Sequence, residues 1–163
     1  MDQQVFVAIF REHLQDVSKY LTRRVPVSAV EDLASDIFEI AWRKREECPK
    51  GFELPWLYRI AGFVVSNYRR KAENRLIHLP ILDTDRSAPS AEDLALDGSE
   101  IAHAFNQLSS SDRQILGLLV FEDLSVAQIA VALGLSANTA SQRLKRARER
   151  LTQKLEDGMS DKN

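Results

Sequence analysis

Near its C-terminal end the chain carries side chains able to read and hold DNA. Asn138, Gln142, Lys145, Arg146 and Glu149 recur at spacings that bring them to one side of a helix. Asn, Gln, Lys and Arg can hydrogen-bond to base edges, and flanking arginines suit phosphate oxygens. Thr139, Ser141, Arg143, Arg148 and Arg150 lie near the start of that helix or along its flanks. The opposite side is apolar: Ala140, Leu144, Ala147, Leu151 and Leu155 form a stripe that must pack inward.

A frame for this helix is written just upstream. Ser125 and Gln128 have the spacing of a capping box, with Leu124 and Ile129 in the positions of a hydrophobic staple. Gly134 follows where the chain needs a left-handed residue, which costs glycine little. Ser136 is placed to cap the second helix. A short helix, a glycine turn and a long basic helix make a helix-turn-helix, whose second helix enters the major groove. The charge run alone would favour a solvated face; caps, turn and stripe in one register favour DNA.

Two further sets lie in the first half. Trp56, Tyr58, Arg59, Ser66, Asn67, Tyr68, Arg69, Arg70 and Lys71 mix aromatic and basic groups along one helix. Single-stranded DNA is held by such mixtures, through stacking on rings and phosphate contacts to cations. For Trp56 and Tyr58 a core role competes. The loop of Lys50, Gly51, Phe52 and Glu53 could wall a pocket for an extruded base. Glu31, Asp32, Asp36 and Glu39, with Trp42 nearby, form an acidic side of another helix. That side suits a basic partner, or simply water.

The 163 residues carry a net charge of −2, low for a nucleic-acid binder, with 44% hydrophobic and 28% charged residues. The distribution resolves the conflict. Arg69 to Arg75 and Arg143 to Lys154 are basic, while Asp83, Asp85, Glu92, Asp93, Asp97 and Glu100 stand between them, opposed only by Arg86. The lone Cys48 suits a reducing compartment. His13, His78 and His103 are dispersed, so no metal or cofactor is expected. Neither a nucleophile motif nor a glycine-rich phosphate loop is present, which argues against an enzyme. No run approaches the roughly 18 apolar residues of a membrane span, and no signal-peptide pattern opens the chain. A cytoplasmic protein is expected.

Helical periodicity runs almost throughout, without a strand signature. One amphipathic helix carries Phe6, Ile9, Phe10, Val17, Tyr20 and Leu21 and ends before Pro26. A second opens on a Ser28–Glu31 capping box and buries Val30, Leu33, Ala34, Ile37, Phe38 and Ala41. It is broken by the Cys48 to Gly51 run. A third starts near Pro55. A flexible acidic linker follows. Ile101, Ala102, Phe105 and Leu108 resume the periodicity, and Ser109 to Asp112 cap a helix bearing Ile115, Leu116, Leu119 and Val120. The fold expected is all-α: a helical domain at 1–77, a linker at 78–100 and a helix-turn-helix domain at 101–158.

With these sets in view, the chain resembles the bacterial sigma factors of the extracytoplasmic-function class, the minimal two-domain members of the sigma-70 family. Residues 28–43 resemble the helix that docks on the RNA polymerase clamp. Residues 54–71, with their Trp-Leu-Tyr-Arg-Ile-Ala run, resemble the helix that melts and reads the −10 element, and residues 108–151 the domain that reads the −35 element. The resemblance implies polymerase docking by Glu31, Asp32, Leu33, Asp36, Glu39 and Trp42. It implies −10 contacts from Trp56, Arg59, Phe63, Ser66, Asn67, Arg69, Arg70 and Lys71. It implies −35 contacts from Asn138, Thr139, Ser141, Gln142, Arg143, Lys145, Arg146 and Arg148. Implied partners are core RNA polymerase (clamp and flap of the large subunits), promoter DNA and an anti-sigma factor, with no membrane insertion of its own. Gly62 and Phe63 stand where the family usually has a polar or basic residue and then asparagine; Asn138 and Ser141 also differ from the common pattern. The competing reading is a stand-alone helix-turn-helix regulator with an N-terminal sensor or dimerisation module.

Overall fold

The computed structural model describes residues 1–77 and 99–163, with residues 76 and 77 described by backbone only. The linker expected at 78–100 falls, from 78 to 98, outside the described residues, as does His78. Among the described residues there are seven α-helices, one 3-10 turn and no strand, the all-α class expected. The chain divides into two compact units, within Met1–Ala88 and Pro89–Asn163.

The first unit packs three helices pairwise: α1 (Gln3–Thr22), α2 (Val27–Arg43) and α3 (Glu53–Ile77), with a 3-10 turn at Arg45–Glu47. Asp2 caps α1 by accepting from the Val5 amide at 2.9 Å. Val17, Leu21, Ile37, Ala41, Leu57 and Ala61 are fully buried at the shared centre. Tyr20 stacks on Tyr58 with ring centroids 5.1 Å apart, and the Arg24 guanidinium lies 3.7 Å over the Tyr20 ring.

Two helix starts differ from the sequence expectation. The Ser28–Glu31 capping box does not form. Helix α2 begins at Val27, directly after Pro26, and has no side-chain cap. Pro26 already supplies the first turn's carbonyl to the Ala29 amide at 2.9 Å, so Ser28 lies inside the helix and cannot be its cap. Helix α3 begins at Glu53, which leaves Pro55 in the first turn, where a missing N–H costs nothing. Within α3, a Cβ added to Gly62 would meet the Tyr20 hydroxyl at 3.8 Å, an ordinary contact. Gly62→Ala is therefore expected to stabilise the unit by about 0.5–1 kcal/mol through helix propensity. A urea midpoint unchanged or lowered in the variant would show that this glycine is needed.

The second unit comprises α4 (Glu100–Asn106), α5 (Ser110–Val120), α6 (Val126–Leu133) and α7 (Ala137–Ser160), with α7 packed against the other three. Every one of these helices starts on a serine. Ser99, Ser109, Ser125 and Ser136 accept from the amides of Ala102, Asp112, Gln128 and Thr139 at 3.1–3.2 Å. Phe105, Ile115, Leu116, Leu118, Leu124, Ile129 and Leu144 fill the core. On α5 the buried position is Leu118, whereas Val120, expected inside, is 66% exposed. Two ties fix the elements further. Arg113 donates to the carbonyls of Asn106 and Leu108 (3.0 and 2.9 Å), satisfying the open end of α4. Buried Asp112 accepts from Arg150 Nη1 at 2.9 and 3.0 Å, clamping α5 to α7.

Candidate nucleic-acid interface

The turn before α7 is built locally. The Ser125 hydroxyl accepts from the Gln128 amide while the Gln128 side chain accepts from the Ser125 amide at 2.9 Å, a complete capping box. Leu124 and Ile129 are buried beside it. At the other end Gly134 takes φ +65°. Its amide reaches the Val131 carbonyl at 3.2 Å and the Leu135 amide the Ala130 carbonyl at 2.9 Å, the Schellman pattern. Ser136 then starts α7, capping Thr139 through both amide and hydroxyl.

So launched, α7 buries Ala140, Leu144 and Ala147. Asn138, Ser141, Gln142, Arg143, Lys145, Arg146, Arg148 and Glu149 all face outward and exposed. Among the described residues, Gln142, Arg143, Lys145 and Arg146 make no side-chain hydrogen bond or ion pair that would hold them away from a ligand. Thr139 is half-buried, its hydroxyl engaged with Ser136, which makes it part of the cap. Arg150, a flank candidate by spacing, is committed to Asp112.

Helix α3 offers a second outward face. From 55 to 61 only Arg59 is exposed; Phe63, Ser66, Arg70 and Lys71 continue the exposed side. Arg70 donates to Asn67 Oδ1 at 2.6 Å, and Asn67 and Arg69 are half-buried. Trp56 does not belong to this face. It is 6% exposed, one turn before buried Ile60 on the same side of α3, and core packing replaces the DNA contact expected of it. Tyr58, 5% exposed, is likewise core. The loop before α3 turns at Gly51, φ +82°, whose amide donates to Glu53 Oε1 at 2.9 Å. Burial, reinforced by the nearby Glu53 carboxylate, pushes the Cys48 thiol up to about 11, so it is protonated and unreactive at neutral pH.

On α2, Glu31, Asp32, Asp36 and Glu39 are exposed, with Arg43 3.8 Å from Glu39. Leu33, expected to help dock a partner, is 8% exposed and packs inward, because its helical phase follows Ile37 and Ala41. Trp42 is half-buried, edge-on to Phe6 (5.1 Å) with the Arg45 guanidinium 4.1 Å over its ring. Asp36, Glu39 and Arg43 of α2 share a cleft of about 200 Å³ with Val64, Asn67, Tyr68 and Lys71 of α3. The acidic face and the basic helix thus meet across one groove. Among the described residues, no group of three or more His, Cys, Asp or Glu side chains is arranged to hold a metal.

Comparison with known proteins matches residues 9–75 to the model of sigma-70 region 2 and residues 99–151 to that of sigma-70 region 4. The RNA polymerase sigma factor NccH of Alcaligenes xylosoxydans xylosoxydans is 31% identical over 162 residues, covering 93% of this chain and 87% of the relative. The chain belongs to the sigma-70 family. The chain is also similar to the ECF RNA polymerase sigma factor SigL of Mycobacterium tuberculosis, 29% identical over 146 residues (84% of this chain, 81% of SigL). In fold it is similar to the sigma factor RpoE solved with the anti-sigma factor NepR from Bartonella quintana. That match has a TM-score of 0.57 at 23% identity and covers 94% of this chain and 96% of that one. It is also similar to CnrH solved with the cytosolic domain of CnrY, with a TM-score of 0.59 at 22% identity, covering 96% of this chain and 90% of that one.

This sigma factor has one surface that sequence reasoning missed. Phe10 and Val30, expected in the core, instead line an open apolar groove of about 490 Å³ with Leu14, Val27, Ala34 and Phe38. Val27 is 79% exposed. Its position just after Pro26, off the Leu33–Ile37–Ala41 stripe, was the available signal. No helix among the described residues is long and apolar enough to cross a membrane.

Proposed function

We propose that this sigma factor binds core RNA polymerase through the acidic face of α2 and directs it to promoters read at two places. The outer side of α3 engages the −10 element, through exposed Arg59, Phe63, Ser66, Arg70 and Lys71 with half-buried Asn67 and Arg69 beside them. The outer face of α7 engages the −35 element, with Asn138, Ser141, Gln142, Lys145 and Arg146 toward bases and Arg143 and Arg148 toward phosphates. The observation that carries this reading is the pairing of two basic DNA-type faces, one on each unit, with an exposed acidic helix beside the first. The low net charge of −2 fits a subunit that depends on polymerase for tight DNA binding. It has no reaction of its own, works in the cytoplasm, and is held in check by an anti-sigma factor; the fold likeness to a sigma factor solved with such a partner supports the last point.

Run-off transcription with core polymerase on a promoter library, with and without the protein, tests the whole reading. Failure to direct specific transcripts would end it. For the docking face, Asp32→Lys with Asp36→Lys is expected to weaken the complex with core polymerase by at least about tenfold, since like charges then face a basic partner. Both side chains are exposed, so the fold should survive. Undiminished co-purification with core would reassign the docking site.

A further inference from the structure

We propose that the cleft between α2 and α3 is a charge-exchange site. In the free protein Asp36 and Glu39 neutralise Arg43 and Lys71; a basic partner that takes the two carboxylates frees both cations to hold nucleic-acid phosphate. Resting on the sigma-factor reading, this assigns Arg43 of α2 a DNA contact and makes that contact conditional on polymerase docking. Ile40 and Arg43 stand four and seven residues after Asp36, with Glu39 three after it, so the four share one side of α2. Val64, Asn67, Tyr68 and Lys71 repeat that spacing on α3, and the two sides wall the cleft. Its charged lining is two carboxylates and two cations, which leaves no net charge to draw a phosphate.

The pairing is loose enough to be exchanged. Arg43 Nη2 stands 3.8 Å from Glu39 Oε1, with the two side chains 66% and 68% exposed. An ion pair so open to water contributes little to the fold, and its members change partners at small cost. A phosphate on Arg43 would lie within a screening length, roughly 8 Å at physiological salt, of the Glu39 carboxylate. That carboxylate opposes it until a cationic partner neutralises the acidic wall. The same side chains that attract polymerase thus keep this end of the first unit off DNA until polymerase is present.

The test measures how the free full-length protein binds a fluorescently labelled, mixed-sequence single-stranded oligonucleotide. Asp36→Asn with Glu39→Gln imitates neutralisation by a partner. It should tighten binding about 3- to 30-fold at roughly 0.1 M salt and steepen the log–log salt dependence by about one. Glu12→Gln with Asp161→Asn, both exposed and outside the cleft, makes the same change in net charge and should leave affinity within about twofold. Adding Arg43→Gln to the cleft pair should cancel most of the gain, whereas Arg43→Gln alone should alter the free protein's affinity less than about twofold. In the complex with core polymerase, Arg43→Gln should weaken oligonucleotide binding about 3- to 10-fold. Unchanged affinity in the cleft pair, equal tightening by the control pair, a gain that survives Arg43→Gln, or no loss in the polymerase complex would each overturn the proposal. None of these results touches the sigma-factor reading, which fails separately if run-off transcription yields no specific transcript.

Discussion

Leu144→Ala is expected to destabilise the α4–α7 unit by about 2–5 kcal/mol and to abolish −35-dependent transcription with it. Leu144 is 3% exposed and sits on α7 between Ala140 and Ala147, both fully buried. Its neighbours on the stripe are small, so α7 itself supplies no side chain to fill the space left by the lost one. A unit of this size has little stability in reserve, and a loss of several kcal/mol is a large part of the total. Chemical denaturation followed by circular dichroism should show an early loss of part of the helical signal. An unfolding midpoint equal to that of the unsubstituted protein would mean that α7 is not anchored through this residue.

The second large effect concerns recognition with the fold intact. Gln142, Lys145 and Arg146 are exposed on the side of α7 away from its buried stripe. Alanine at whichever of them reaches a base should cost roughly 1–3 kcal/mol and relax preference at one or two −35 base pairs. Arg143 and Arg148 flank that face, and alanine there should weaken binding across sequences and flatten its salt dependence. Promoter selection with each variant separates the classes. Wild-type −35 preference in all three of Gln142→Ala, Lys145→Ala and Arg146→Ala would show that a different face of the helix reads the element.

What could be read from the chain before its structure divides along physical lines. The helix-turn-helix was legible because its signals are local: Ser125 and Gln128, Gly134, and Ser136 each act within a few residues. The outward set on α7 followed from its periodicity alone. Burial on α1–α3 was less legible, since it depends on which way neighbouring helices close. Trp56 and Leu33 looked like contact residues by type and proved to be core, while Phe10 and Val30 looked like core and line an open groove. The Ser28–Glu31 pattern met the spacing rule for a cap, but α2 starts from Pro26, two residues too early for it. A family resemblance conveys which helix meets which partner. It does not convey how far each side chain on that helix is covered.

The four serine caps of the second unit bear on how such a protein can diverge. Each boundary is specified by one hydroxyl and an amide three residues on, independent of what fills the core or decorates the outer face. Core residues can be exchanged for others of matching volume, and Asn138, Ser141, Gln142, Lys145 and Arg146 can change freely, while α7 still begins at the same residue. New promoter preferences are then reachable by single steps that leave the scaffold in place. A frame so locally encoded is a platform on which paralogous regulators can acquire separate gene sets.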